Sequence, residues 1–166
     1  QILFGLRAAL SFGLGVLITF TQAHTYGVGS TVLAGFGLLL GLSSLGYVLR
    51  VKKFQWLIPL LIIATLVGVL ALVTFINQTL QEVLFLPLVA LFGLSFAAFE
   101  GYLARRHRGS SPLGRDFAIS AVLSLALGLV FLLAPLDEVS AVGFLGAYLA
   151  ISGVFWGITA ASPQPK

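Results

Sequence analysis

The chain contains no cysteine and no methionine, and only 8% of its 166 residues are charged. Without thiols there can be no disulfide, thiol catalysis, cysteine-ligated zinc or iron–sulfur cluster. Two histidines and five carboxylates leave little material for a metal site, and they show no ligand spacing. No triad and no phosphate loop is present either. The sequence therefore predicts no catalytic residue, no metal and no cofactor. Methionine is missing even at position 1, so Gln1 is not expected to be the encoded start. The shortage of charge is the most restrictive of these absences. A soluble domain carries roughly 25% charged residues. This chain has too few to cover a water-facing surface, which excludes a soluble enzyme and a disordered chain.

Hydrophobic residues make up 59% of the chain, and the mean hydropathy is +1.10. These values predict an all-α integral membrane protein. Charges mark where the chain leaves the lipid. Residues 8–49 carry none, and as a single helix they would run ~63 Å at about 1.5 Å per residue, against a hydrocarbon core of ~30 Å. Two spans with a turn are required, and the turn is Gln22-Ala23-His24-Thr25-Tyr26-Gly27. The same reasoning places spans at 2–21, 28–49, 55–76, 83–104, 116–134 and 139–160. Residues 1–160 form a single six-helix domain, with 161–166 as a tail. Continuous apolar runs predict helices, because a barrel would alternate apolar and polar residues. Pro59 and Pro87 are expected in the first turns of spans three and four.

All nine Lys and Arg fall at the N-terminus, in the second and fourth connectors, or at the C-terminus: Arg7; Arg50, Lys52 and Lys53; Arg105, Arg106, Arg108 and Arg115; Lys166. The other three connectors carry Glu82, Asp137 and Glu138 instead. The positive-inside rule then predicts both termini in the cytoplasm. The basic residues act as topology determinants facing the bilayer, and no nucleic-acid partner is expected. Trp56, Trp156 and Tyr26 occupy positions expected for an interfacial aromatic belt.

A shift of 56 residues superposes small residues: Ala8, Ala64 and Ser120; Ala34, Ala90 and Gly146; Gly41, Ala97 and Gly153. Gly15, Gly68 and Gly128 correspond within a few residues. The implied architecture is three repeated helical hairpins, about 1–50, 54–105 and 113–160, around a pseudo-threefold axis along the membrane normal. Candidate packing seams are Gly5, Ala9 and Gly13; Gly37 and Gly41; Ser120, Ser124 and Gly128; and Gly146, Ala150, Gly153 and Gly157. In lipid, small residues let helix backbones approach closely. An outward-facing seam of this kind would serve a homo-oligomer or a larger membrane assembly.

Span six reads GAYLAISGVFWGITAA and follows a Gly-Leu-Val-Phe-Leu-Leu-Ala-Pro run. This unit resembles the repeat of the HdeD family, the DUF308 short-repeat membrane proteins, through Gly128, Pro135, Gly146 and Gly153. Unit one keeps Gly15, Gly35 and Gly41 without the proline. Unit two keeps Gly68, with Asn77 near the turn and Phe96-Ala97 near the second glycine. The resemblance implies a six-span inner-membrane protein, associated in some bacteria with acid resistance, and implies no catalytic residue.

Two side chains remain as candidates for ion-linked chemistry. Glu100 is the only acid inside a span apart from Asp116 at the very start of span five, and Arg105 and Arg106, about one turn away, are its expected partners at the headgroups. His24 lies in the first outer turn on the face that carries Glu82, Asp137 and Glu138, where it could respond to external acid. The function expected from these observations is non-enzymatic: an accessory, structural or acid-stress role, with the chain as a subunit of a larger membrane complex. The alternative is a small-solute or proton transporter or channel. Its polar path would have to come from Thr19, Ser43, Ser44, Thr65, Thr74, Ser95, Ser120, Ser124 and Ser152.

Overall fold

The computed structural model describes residues 2–50, 52–109 and 112–162; the side chains of 52–54 are not described. The Lys52 and Lys53 side chains and the tail with Lys166, used above to orient the chain, lie outside the described residues. Six helices follow one another: α1 (Ile2–Phe20), α2 (Tyr26–Arg50), α3 (Ile58–Val73), α4 (Gln78–Arg106), α5 (Leu113–Leu133) and α6 (Glu138–Ala161). A 3-10 turn, Lys52–Leu57, leads into α3, and a second, Thr74–Ile76, ends it. No strand occurs among the described residues. All six helical segments are long and apolar enough to cross a membrane.

Local sequence explains the helix ends. Asn77 caps α4 by accepting the Thr79 N–H at 2.8 Å, and Asp137 caps α6 by accepting from Ser140 at 3.3 Å. Pro59 lies in the first turn of α3, where its missing N–H costs little. Pro87 differs from expectation. Because Asn77 starts α4 at Gln78, Pro87 lies inside the helix rather than in its first turn, and it removes the bond to the Val83 carbonyl.

The surface of the bundle is that of a lipid-facing molecule. Phe20 is 82% exposed and Ile76 79%, and Leu42, Ile62, Val122 and Ile158 also face outward. Buried positions are rich in small and aromatic side chains, including Phe36, Phe85, Phe92, Phe96 and Trp156. The closest packing joins α1 to α6, α2 to α3 and α4 to α5, rather than the helix pairs connected by the polar turns at the other end. Glycines set each approach. A Cβ on Gly15 would stand 2.5 Å from the Ala150 nitrogen, one on Gly37 2.6 Å from the Ala64 carbonyl, and one on Gly93 2.6 Å from the Gly128 nitrogen. Only a residue without a side chain permits such contact.

Gly41, Ser120, Ser124, Gly128, Gly146 and Gly153 are buried; Ala150 and Gly157 are half-buried. The expected α1 seam is placed differently. Gly13 is exposed with nothing within 4 Å, Ala9 is exposed, and Gly5 only reaches Ala160 at 4.0 Å. The face of α1 that packs carries Arg7, Ala8, Ser11, Gly15 and Ile18. Helical period explains the change: burying Arg7 rotates the 5-9-13 stripe toward the outside.

Candidate functional site: a buried ion pair shared by four helices

Glu100 is fully buried in α4, and its partner is neither Arg105 nor Arg106. An ion pair joins its Oε1 to Nη2 of Arg7, 93 residues earlier in α1. Arg7 is itself 4% exposed. The correction has a simple origin. Glu100 lies six residues before the end of α4, about 9 Å along the helix. The flanking arginines can snorkel outward from that depth and leave the carboxylate to a cation at its own level. Arg7, a turn and a half into α1, is at that level.

The second carboxylate oxygen is also occupied. Ser124 of α5 donates to Glu100 Oε2 at 3.1 Å, and the Tyr148 hydroxyl of α6 lies 2.9 Å from the Ser124 oxygen. With the Ser124 proton committed to the carboxylate, Tyr148 is the donor of the second bond. The polar chain therefore runs from Tyr148 through Ser124 and Glu100 to Arg7, and it draws on α6, α5, α4 and α1.

Aromatic rings enclose the cation. The Arg7 guanidinium carbon lies 4.4 Å from the centre of the Trp156 ring and 5.5 Å from that of Phe96. Phe4 stacks on Trp156 at 5.1 Å, and Phe117 lies 5.4 Å from the same ring. Trp156 donates its indole N–H to Ser120 at 3.2 Å. Trp156 is thus a fully buried wall of the ion-pair site and not the interfacial belt residue that its place near a span end suggested. Trp56 is half-buried and meets Phe117 edge-on.

The Arg7 Nε and the Ser11 hydroxyl are buried and have no hydrogen-bond partner among the described residues. A cavity of about 10 Å³ reaches Arg7 between Phe4, Trp56 and Phe117. That is room for about one water molecule. The chemistry available here is charge neutralisation in a dry setting. Neither charge could remain there alone, because an unpaired ion in the hydrocarbon region is strongly disfavoured.

His24 stands at the opposite end of the bundle, half-buried in the turn between α1 and α2. It is far in the fold from Glu100, and the two candidate ion-linked residues do not form one site. Near His24 in sequence, the Tyr26 N–H donates to Glu138 at 2.6 Å. Asp137 and Glu82 are close enough to act electrostatically on Tyr26. The hydrogen bond from Ser140 holds the exposed Asp137 carboxyl below its usual range. The span hydroxyls converge only in part: Ser124 bonds Glu100, Ser120 bonds Trp156 and Ser152 bonds Tyr148. Thr19, Ser43, Ser44 and Thr74 are turned to carbonyls of their own helices.

Reading the sequence alone missed Arg7, because every cation was assigned to the headgroups. The signal was available: Arg7 has uncharged neighbours on both sides in ILFGLRAALSFG, and an acid inside a span requires a counter-charge.

No family model matches the chain, and no curated protein or solved structure matches it.

Proposed function

We propose that the chain is a non-enzymatic six-span membrane protein of the HdeD-like type, with an accessory or structural role in a bacterial inner membrane. The observation that carries this reading is that the two buried charges neutralise each other inside the bundle. Arg7, Glu100, Ser124 and Tyr148 use one another as partners and bind four helices together. The Arg7 Nε and the Ser11 hydroxyl lack a partner, but the cavity beside Arg7 has room for about one water and not for a solute. The ion pair works as a lock on the bundle.

The proposal includes three repeated hairpins with both termini cytoplasmic. In support of the repeat, all nine small residues related by 56 positions are buried, from Ala8, Ala64 and Ser120 to Gly41, Ala97 and Gly153. Phe36, Phe92 and Tyr148 share the same spacing and meet edge-on, at 5.6 Å and 5.9 Å. The orientation rests on the distribution of cations. Withdrawing Arg7 into the bundle leaves eight, all still in the same alternate connectors and the tail. The face carrying His24, Glu82, Asp137 and Glu138 then looks outward, and it is the part suited to sensing external acid.

Purification in native lipid tests the accessory role: a reproducible protein partner is expected, and an isolated monomer would count against a subunit. The transport reading draws on one observation, a charged pair inside the membrane, which is a functional feature by default. Flux into liposomes separates the two. The lock predicts no flux above empty vesicles, whereas a carrier would show flux that Glu100→Gln abolishes.

A further inference from the structure

Three arginines at the turn between α4 and α5 line one concavity of about 430 Å³. Arg105 comes from the end of α4, Arg108 from the turn and Arg115 from the start of α5. None of them forms an ion pair among the described residues. Asp116, the nearest acid in sequence, is not among the lining residues. Ala104 and Ala118 add small apolar side chains to its lining. Gly114 fixes the geometry: a Cβ there would stand 2.7 Å from the His107 carbonyl, so α5 starts hard against the last turn of α4. Gly109 makes the turn itself, at a φ of +78° that favours glycine.

We infer that this concavity is a binding site for the headgroup of an anionic glycerophospholipid, with the phosphodiester held by Arg105, Arg108 and Arg115. Topology alone needs cations on this side of the membrane; it does not need them gathered around a single hollow. Guanidinium groups fit phosphate oxygens with paired N–H donors, and three of them suit a headgroup of net negative charge. The alanine part of the lining separates a lipid from a free phosphate. It offers nothing to an inorganic ion, but it can take the glycerol and first methylenes of a lipid where α4 and α5 leave the bilayer. This site depends on the six helices spanning a membrane, and it is independent of the accessory role.

The test uses the whole chain purified in detergent micelles and titrated with phosphatidylglycerol, phosphatidylcholine or inorganic phosphate, with bound lipid read by native mass spectrometry. Phosphatidylglycerol is expected to bind, and the other two are not. Arg108→Gln is expected to weaken binding about fivefold, the usual effect of one basic residue at an anionic surface. The triple replacement of Arg105, Arg108 and Arg115 by Gln is expected to abolish it. Ala118→Phe keeps every charge and adds bulk to the apolar part of the lining, and it is expected to release the lipid as well. Arg50→Gln, at the end of α2, is expected to change nothing. Full binding by the Ala118→Phe protein, or an equal loss with Arg50→Gln, would mean diffuse attraction and overturn the site. Displacement of the lipid by an equal concentration of phosphate would assign it to a free anion and overturn the lipid. A chain that stays soluble without detergent would refute the membrane-spanning reading separately.

Discussion

Replacing Glu100 by glutamine keeps the shape of the side chain and removes its charge. The amide oxygen can still accept from Arg7, while the amide NH2 takes the place of the second oxygen and donates to Ser124, whose hydroxyl then donates to Tyr148, so the loss is mainly electrostatic. What remains is a guanidinium, 4% exposed, with no counter-ion in an aromatic enclosure. Breaking a buried pair from one side costs about 3–5 kcal/mol. For a chain of this size, that corresponds to roughly 6–20 °C in melting temperature. The double change Arg7→Met with Glu100→Leu removes both ions and fills their space. It should recover most of the loss, because a buried pair contributes little beyond its apolar replacement. Thermal unfolding in detergent, followed by helical circular dichroism, compares the parent, Glu100→Gln and the double variant. The reasoning fails if Glu100→Gln melts with the parent, or if the double variant is no more stable than the single one.

Other expectations follow from the same contacts. Gly93→Ala puts a methyl 2.6 Å from the Gly128 nitrogen and should cost about 1–3 kcal/mol as α4 and α5 part. Gly13→Ala, with open space around it, should be neutral or gain up to about 1 kcal/mol from helix propensity; equal melting temperatures for the two variants would refute the assigned seam. In a Trp56→Phe background, the fluorescence of Trp156 should be blue and resist aqueous quenchers, and ready quenching would restore it to the interface. The Asp137 cap should persist on acidification until the pH passes below the usual carboxylate range. Its folded value is depressed, so its contribution is complete above the unfolded value and fades as pH falls through the folded one. Asp137→Asn, which can still cap, should show no such fading in the amide exchange of the first turn of α6.

The six helices were legible in the sequence because each depends on a local property, a long apolar run between polar turns. Their observed ends fall within a few residues of the expected ones, except that α4 starts at Gln78 rather than 83. There the Asn77 cap extends the helix into residues whose polarity had read as a turn. Partnership across the bundle was not legible. Gly5, Ala9 and Gly13 have the spacing of a seam, yet spacing cannot say which face of a helix turns inward. Glu100 was identifiable as an intramembrane acid, but its partner lies 93 residues away, and only the assembly of the bundle, with α1 packed on α6 and α4 on α5, brings it near. Trp156 was misplaced for a related reason. Tryptophan near a span end favours the interface on average, and Arg7, Phe4 and Ser120 override that average here.

The enclosure of Glu100, Ser124 and Tyr148 by four helices is the claim on which the lock rests. The chain has no cysteine of its own, so Ser124→Cys introduces a single, nearly isosteric thiol into the centre of that network. Maleimide modification in intact membranes reads its access to water, since only a hydrated thiolate reacts. No modification is predicted in the folded protein, with full modification after denaturation and ready modification of a Gln78→Cys control on the exposed turn. Rapid modification of the folded Ser124→Cys protein would reveal a wetted path to Glu100 and contradict the account.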